Sequence, residues 1–136
     1  MMELPFGAEQ DIDFMFLKLV VHDIGKSEAF YKSVFGLVEM NRMDAKITGR
    51  DVVEIVYQPT YKGGPLFILA SFPEDTQPAN NESIIGFASG DLGACLQRVE
   101  KAGGTVVEDR EVPGFGRHAF VKDPEGHLLQ ISQRQG

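Results

Sequence analysis

One cysteine, no tryptophan, no excess of basic charge and no long apolar run mark this 136-residue sequence by what it leaves out. A lone Cys95 cannot close an internal disulfide. No basic N-terminal region followed by an apolar one is seen, so a cytoplasmic location is expected. Asp and Glu number 20 against 13 Lys and Arg, and the net charge of -7 is the wrong sign for a surface that must neutralise phosphates. Nucleic acid is therefore not an expected partner. The longest nearly apolar run, Phe14 to Val21, is interrupted by Lys18 and falls well short of the roughly 20 residues a bilayer requires. It reads as a strand, and no membrane is expected.

What remains is an ordinary globular composition, 43% hydrophobic and 24% charged. A chain of this length fits one structural domain, burying roughly two thirds of its unfolded surface without a covalent staple.

The periodicity divides the chain. Residues 1–13 mix Pro5, Gly7 and charges without a repeat and read as an N-terminal arm. Phe14 to Val21 is a buried strand, closed by Asp23 and Gly25. Phe30, Tyr31, Val34 and Phe35 then line one face of a helix over 27–35, which Gly36 stops. Strands are expected at Leu37–Met43, Val52–Tyr57 and Leu66–Phe72, completing a first βαβββ unit over 14–72. Residues 73–82, polar and carrying two prolines, read as a linker. The order then repeats over 83–133: a strand at Ile84–Ser89, a helix over 91–102 with Leu92, Leu96 and Val99 on one face, and strands at Thr105–Glu108, His118–Lys122 and Leu128–Ser132. Asp123-Pro124-Glu125-Gly126 supplies the last turn. At an offset of 68 positions, Asp23, Ile24, Gly25, Gly36 and Val38 match Asp91, Leu92, Gly93, Gly104 and Val106, which points to duplication.

With VVHDIGKSEAFYKSVFGL at 20–37, GDLGACLQRVEKAGGTVVED at 90–109 and FVKDPEGHLLQIS at 120–132, the sequence resembles the vicinal-oxygen-chelate superfamily of glyoxalases, bleomycin-resistance proteins and extradiol dioxygenases. The resemblance implies an α+β fold of two βαβββ units, their curved mixed sheets arranged around a cavity, commonly as a homodimer. In metal-using members, each unit's first and last strands supply ligands from the cavity face. Those positions fall here on Phe16, near Ile68, on Ile84 or Ile85, and on Gln130. A transition metal needs about three N, O or S donors, and phenylalanine and isoleucine have none, so no metal and no cofactor is expected.

The expected ligand-binding residues are accordingly Phe16, Lys18, Glu54, Tyr57, Ile68, Ile85, Phe87, Arg117 and Gln130. Lys18 shares a face with Phe16 and Val20, and is either a charge pointing into the cavity or a lysine that snorkels to the rim. Glu54 is either a cavity residue or an exposed strand residue. Phe16 and Phe87 offer rings to a planar ligand. His22 and His127 belong to turns. Pairing Ala119 with Gln130 across the last turn places His118 on the helix-covered side. Cys95 reads as a small buried hydrophobe. The resulting expectation is a metal-independent protein, similar to bleomycin-resistance proteins, that holds a small organic molecule, with an acidic surface favouring a cationic one. The alternative is a glyoxalase-like lyase or isomerase, or a dioxygenase, with a displaced or absent metal site. No tryptophan is available, unlike in some drug-binding relatives.

Overall fold

The computed structural model describes residues 14–74, 83–113 and 116–134. The expected arm at 1–13 and most of the expected linker lie outside them. The chain divides into two compact units, one of residues 14–81 and one that holds residues 82–136.

In the first, β1 (Phe16–Val20) leads to α1 (Ile24–Phe35) and then to β2 (Glu39–Ile47), β3 (Arg50–Tyr57) and β4 (Leu66–Ser71). The sheet order is β1-β4-β3-β2, parallel between β1 and β4 and antiparallel elsewhere. The second unit repeats the plan with β5 (Ile84–Ser89), α2 (Leu92–Lys101), β6 (Thr105–Val112), β7 (Gly116–Lys122) and β8 (Leu128–Gln133), in the order β5-β8-β7-β6. Both sheets are curved and open. No described helix is long and apolar enough to cross a membrane.

The matched aspartates do the same work in each unit. Asp23 caps α1 by accepting a hydrogen bond from the Lys26 amide, and Asp91 caps α2 by accepting one from Ala94, both at 3.0 Å. An accepting side chain at this position satisfies an amide that has no partner within the helix. At the helix ends the repeat breaks. Gly36 takes the left-handed conformation after α1 (φ 67°), whereas after α2 it is Gly103 (φ 91°), one residue short of the matched Gly104.

Each helix covers one sheet face. On α1, Phe30, Tyr31 and Val34 are buried, and Tyr31 packs on Phe67 with ring centroids 5.1 Å apart. Beneath α2, the side chains of Ala119, Val121, Leu129 and Ile131 are fully buried together with Leu92, Cys95 and Val99. Burial also pushes the Cys95 thiol pKa up, as expected of an inert core residue.

Two strands are longer than the apolar pattern foretells. β2 continues to Ile47 and β6 to Val112 because their outer halves face solvent, so no alternation marks them. Pairing is secured there by geometry instead. Thr48 and Gly49, both at positive φ (49° and 81°), form the kind of two-residue turn that matches strand twist, and Lys46 reaches Asp51 across it at 2.7 Å.

The hairpin between β7 and β8 hangs on Asp123. Its Oδ1 accepts from the Glu125 and His127 amides, each at 2.9 Å, and its Oδ2 lies 2.7 Å from His127 Nδ1. Asp123→Ala would leave two amides without these acceptors, and is expected to cost about 3 kcal/mol in urea unfolding. A loss below about 1 kcal/mol would show that the turn is held by other means.

Candidate functional site

Residues directly opposite in a sheet share a face, so the register decides which side chains meet. In the first unit Lys18 pairs with Ile68, Ala70 with Glu54, and Ile68 with Val56. These residues, with Phe16 and Val20, lie on the face turned away from α1. Phe16, Val20, Val56, Ile68 and Ala70 give this part of the wall an apolar surface, and a charged pair stands among them: Glu54, only 5% exposed, places Oε2 2.5 Å from Lys18 Nζ. That oxygen accepts no aligned hydrogen bond, so charge proximity is what satisfies it. Lys18 is half-buried, and its ammonium also lies 5.4 Å from the centre of the Phe16 ring. Four expected residues, Phe16, Lys18, Glu54 and Ile68, thus come together. Glu54 is neither exposed nor alone, and Lys18 ends on a carboxylate rather than in free solvent.

Tyr57 does not join them. It pairs with Phe67 on the helix-covered face, and its ring lies 6.2 Å from that of Phe67. Its hydroxyl is buried without a hydrogen-bond partner, and burial, with Glu28 and Glu39 nearby, pushes its pKa up to about 12. Arg42 is bound on this side to both Glu28 and Glu39.

In the second unit Gln130 pairs with Gly86 and Phe120, while Ile131 pairs with Phe87 and Ala119, and Leu129 with Ile85. Gln130 is therefore on the face turned away from α2, and Ile85 and Phe87 are on the covered face, contrary to expectation. The alternation starts one residue earlier, so the exposed Ile84 is the side chain that shares Gln130's face. Arg117 is likewise on the covered side, two residues before Ala119. It grips Asp109 through two hydrogen bonds of 3.0 and 2.8 Å, which hold the Asp109 carboxyl below its ordinary pKa.

The same register corrects His118. Ala119 faces Ile131, not Gln130, and His118 pairs with Ser132 on Gln130's face. The misplacement came from counting the turn one residue too tight: Asp123 to His127 all lie outside the ladder. His118 Nδ1 is 2.8 Å from Ser132 Oγ, a pair the sequence reading missed, although alternation from a correctly counted turn would have found it.

Comparison with known proteins now fits this geometry. The profile of the Glyoxalase/Bleomycin resistance protein/Dioxygenase superfamily matches residues 13–131. The chain belongs to this family. A probable lactoylglutathione lyase of Vibrio cholerae is 27% identical over 120 residues, 86% of this chain and 87% of that protein. A glyoxalase family protein from Bacillus cereus superposes with a TM-score of 0.77 at 17% identity, covering 96% of this chain and 99% of the other. The fosfomycin resistance protein FosX of Listeria monocytogenes, solved as a mutant with Mn(II) and a dihydroxypropylphosphonic acid, gives 0.65 at 19% identity, covering 90% and 93%.

The family's metal can be tested against the donors present. Phe16, Ile68, Ile84 and Gln130 offer one neutral amide among them, and the described residues contain no group of three or more His, Cys, Asp and Glu side chains able to hold an ion. These residues do not fit a divalent metal at those positions.

Two outcomes follow from the burial. Lys18→Met strands a buried carboxylate, whereas Glu54→Gln leaves an ammonium that can turn to water, so the first should cost about 2 kcal/mol more in chemical denaturation. Equal losses would mean that Glu54 is not held by Lys18. Tyr57→Phe removes a hydroxyl that makes no hydrogen bond and should cost less than about 0.5 kcal/mol near neutral pH. Because the folded-state pKa is raised from 10.0 to about 12, the stability it carries is complete below pH 10 and is lost as pH rises through about 12. Alkaline unfolding should therefore be shallower in the variant, and identical alkaline curves would count against the shift.

Proposed function

We propose that this protein is a metal-independent binder of a small organic molecule, in the manner of bleomycin-resistance proteins, with the Lys18–Glu54 pair as its charged anchor. The observation that carries this is the pair itself: a buried carboxylate and a half-buried ammonium set among Phe16, Val20, Val56, Ile68 and Ala70. Desolvating a charge pair is costly and seldom stabilises a fold by itself, which favours a role in recognition. Phe16 and Ile68 supply apolar contact beside the pair. The chain's excess of acidic residues favours a cationic ligand, and the protein acts as a cytoplasmic homodimer without cofactor in this reading.

A ligand cation would compete with Lys18 for Glu54, so the sign of the mutational effect reports the ligand's charge. With a hit from a thermal-shift screen of small organic cations, Lys18→Gln should tighten binding and Glu54→Gln should weaken it at least about tenfold. The reverse pattern would identify an anionic ligand, and no effect from either would remove the pair from the site. Elemental analysis after incubation with Zn, Ni, Mn and Fe(II) and desalting should find no stoichiometric metal.

The Vibrio cholerae relative supports a second reading, a lyase with a displaced or absent metal site. Lactoylglutathione turnover that depends on an added metal would favour it over the binder.

A further inference from the structure

We infer that the open edge of β2 pairs antiparallel with β2 of a second copy of this chain, about a two-fold axis at Ala45. The pairing gives the homodimer of the proposed function a surface, and it depends on no ligand.

The edge is long and open. β2 is the outermost strand of its sheet, nine residues long and mostly exposed. No proline interrupts it, and its one irregularity lies between Glu39 and Asn41, so the ladder is regular from there to Ile47. An edge of this kind offers its unpaired amides and carbonyls to another strand. The tight turn decides which ones. Its closing pair, Ile47 and Arg50, exchanges both ladder bonds, and bonded pairs alternate along an antiparallel ladder. Ala45 and Met43 therefore aim their main-chain groups at β3, while Arg42, Asp44 and Lys46 aim theirs outward.

Charge selects the partner. β2 carries Glu39, Arg42, Asp44 and Lys46, balanced in sign, so it can face a copy of itself. The matching edge strand of the second unit, β6, sets Glu108, Asp109 and Glu111 against Arg110 and would repel its own copy.

Charge also selects the register. Outward groups meet outward groups in a two-fold pair only when the axis passes through a residue. An axis at Arg42, Asp44 or Lys46 sets that charge against itself, which is unfavourable. An axis at Met43 sets Arg42 against Asp44, but Arg42 is already bound to Glu28 and Glu39, and the irregular end of the strand falls within that span. An axis at Ala45 uses only the regular stretch 43–47. It joins Asp44 to Lys46 of the second copy twice over, with four main-chain hydrogen bonds, and sets Met43 against Ile47 on the other face. Asp44 makes no hydrogen bond or ion pair of its own among the described residues. Lys46 holds Asp51 across its turn, and its three donors leave room for a second carboxylate. Ala45, the smallest side chain of the strand, falls on the axis, where a pair without ladder bonds brings two backbones closest.

Analytical ultracentrifugation of the full chain over a concentration series should show a monomer–dimer equilibrium. Amide hydrogen exchange should slow with concentration at Asp44 and Lys46 and stay constant at Ala45, whose amide serves β3. Asp44→Pro removes only an outward amide, so it should keep the circular dichroism spectrum and weaken the dimer at least about tenfold. Asp44→Lys and Lys46→Asp should each weaken it by about as much, since each sets like charges opposite. Mixing these two variants should restore a dimer with one chain of each, because the signs are then complementary. A dimer that survives Asp44→Pro overturns the β2 pairing and leaves the homodimer standing, and exchange that slows at Arg42 instead of Lys46 overturns the axis at Ala45. Assemblies larger than two copies also overturn it, because a two-fold pair closes on itself. A monomer at every concentration overturns both pairing and homodimer, and leaves the charge-sign experiment on Lys18 and Glu54 untouched.

Discussion

The two-residue repeat of a β-strand is the constraint on which the rest of this molecule depends. Each sheet has one face sealed by its helix, and a one-residue change of register would carry every buried side chain to the other face. Burying Ala119, Val121, Leu129 and Ile131 against α2 leaves no choice about Gln130, His118 and Ser132: they must point the other way. In the first unit, seating Leu19, Leu69 and Ile55 on the covered side forces Lys18 and Glu54 onto one opposite face. The candidate sites are consequences of where the core lies.

Much of this was legible because apolar patterns report burial. The βαβββ order and both helices stand in the sequence, since periodicity is a local signal. What was lost is equally specific. β2 and β6 run on through solvent-facing residues that carry no alternation, and at the end of β2 the pairing is marked by a tight turn and a cross-strand salt bridge rather than by apolar pattern. The first-unit site was readable from β1 because Lys18 interrupts an apolar run. On the second unit, Ile84-Ile85 is apolar at both parities and cannot reveal which residue faces in, so Ile85 and Phe87 were placed on the wrong side. Arg117 and Tyr57 show a related limit: a polar side chain near a predicted wall says nothing about which face it takes until its partner, Asp109 or Phe67, is known.

Family membership settles the architecture and leaves the chemistry open, because a fold hosts many sites. The metal-using members need nitrogen, oxygen or sulfur at positions where this chain has Phe16, Ile68 and Ile84. Hydrocarbon at those places is compatible with packing and with apolar contact to a ligand, and incompatible with coordination. The polar groups that do occur on these faces lie next to the family positions, Lys18 two residues beyond Phe16 and Ser132 two beyond Gln130, which keeps each on the same face as the position it flanks.

The two units, alike in fold, differ in what they place there. One has an ion pair whose carboxylate is buried, so that removing its partner leaves a costly bare charge. The other has His118 and Ser132 joined by a hydrogen bond, with Gly86 and Ala88 on the neighbouring edge strand. A duplicated unit that kept identical faces would bind the same group twice. Divergence of the side chains on the uncovered faces, with the covered faces held by the core, lets the two units differ in chemistry without any change of backbone plan.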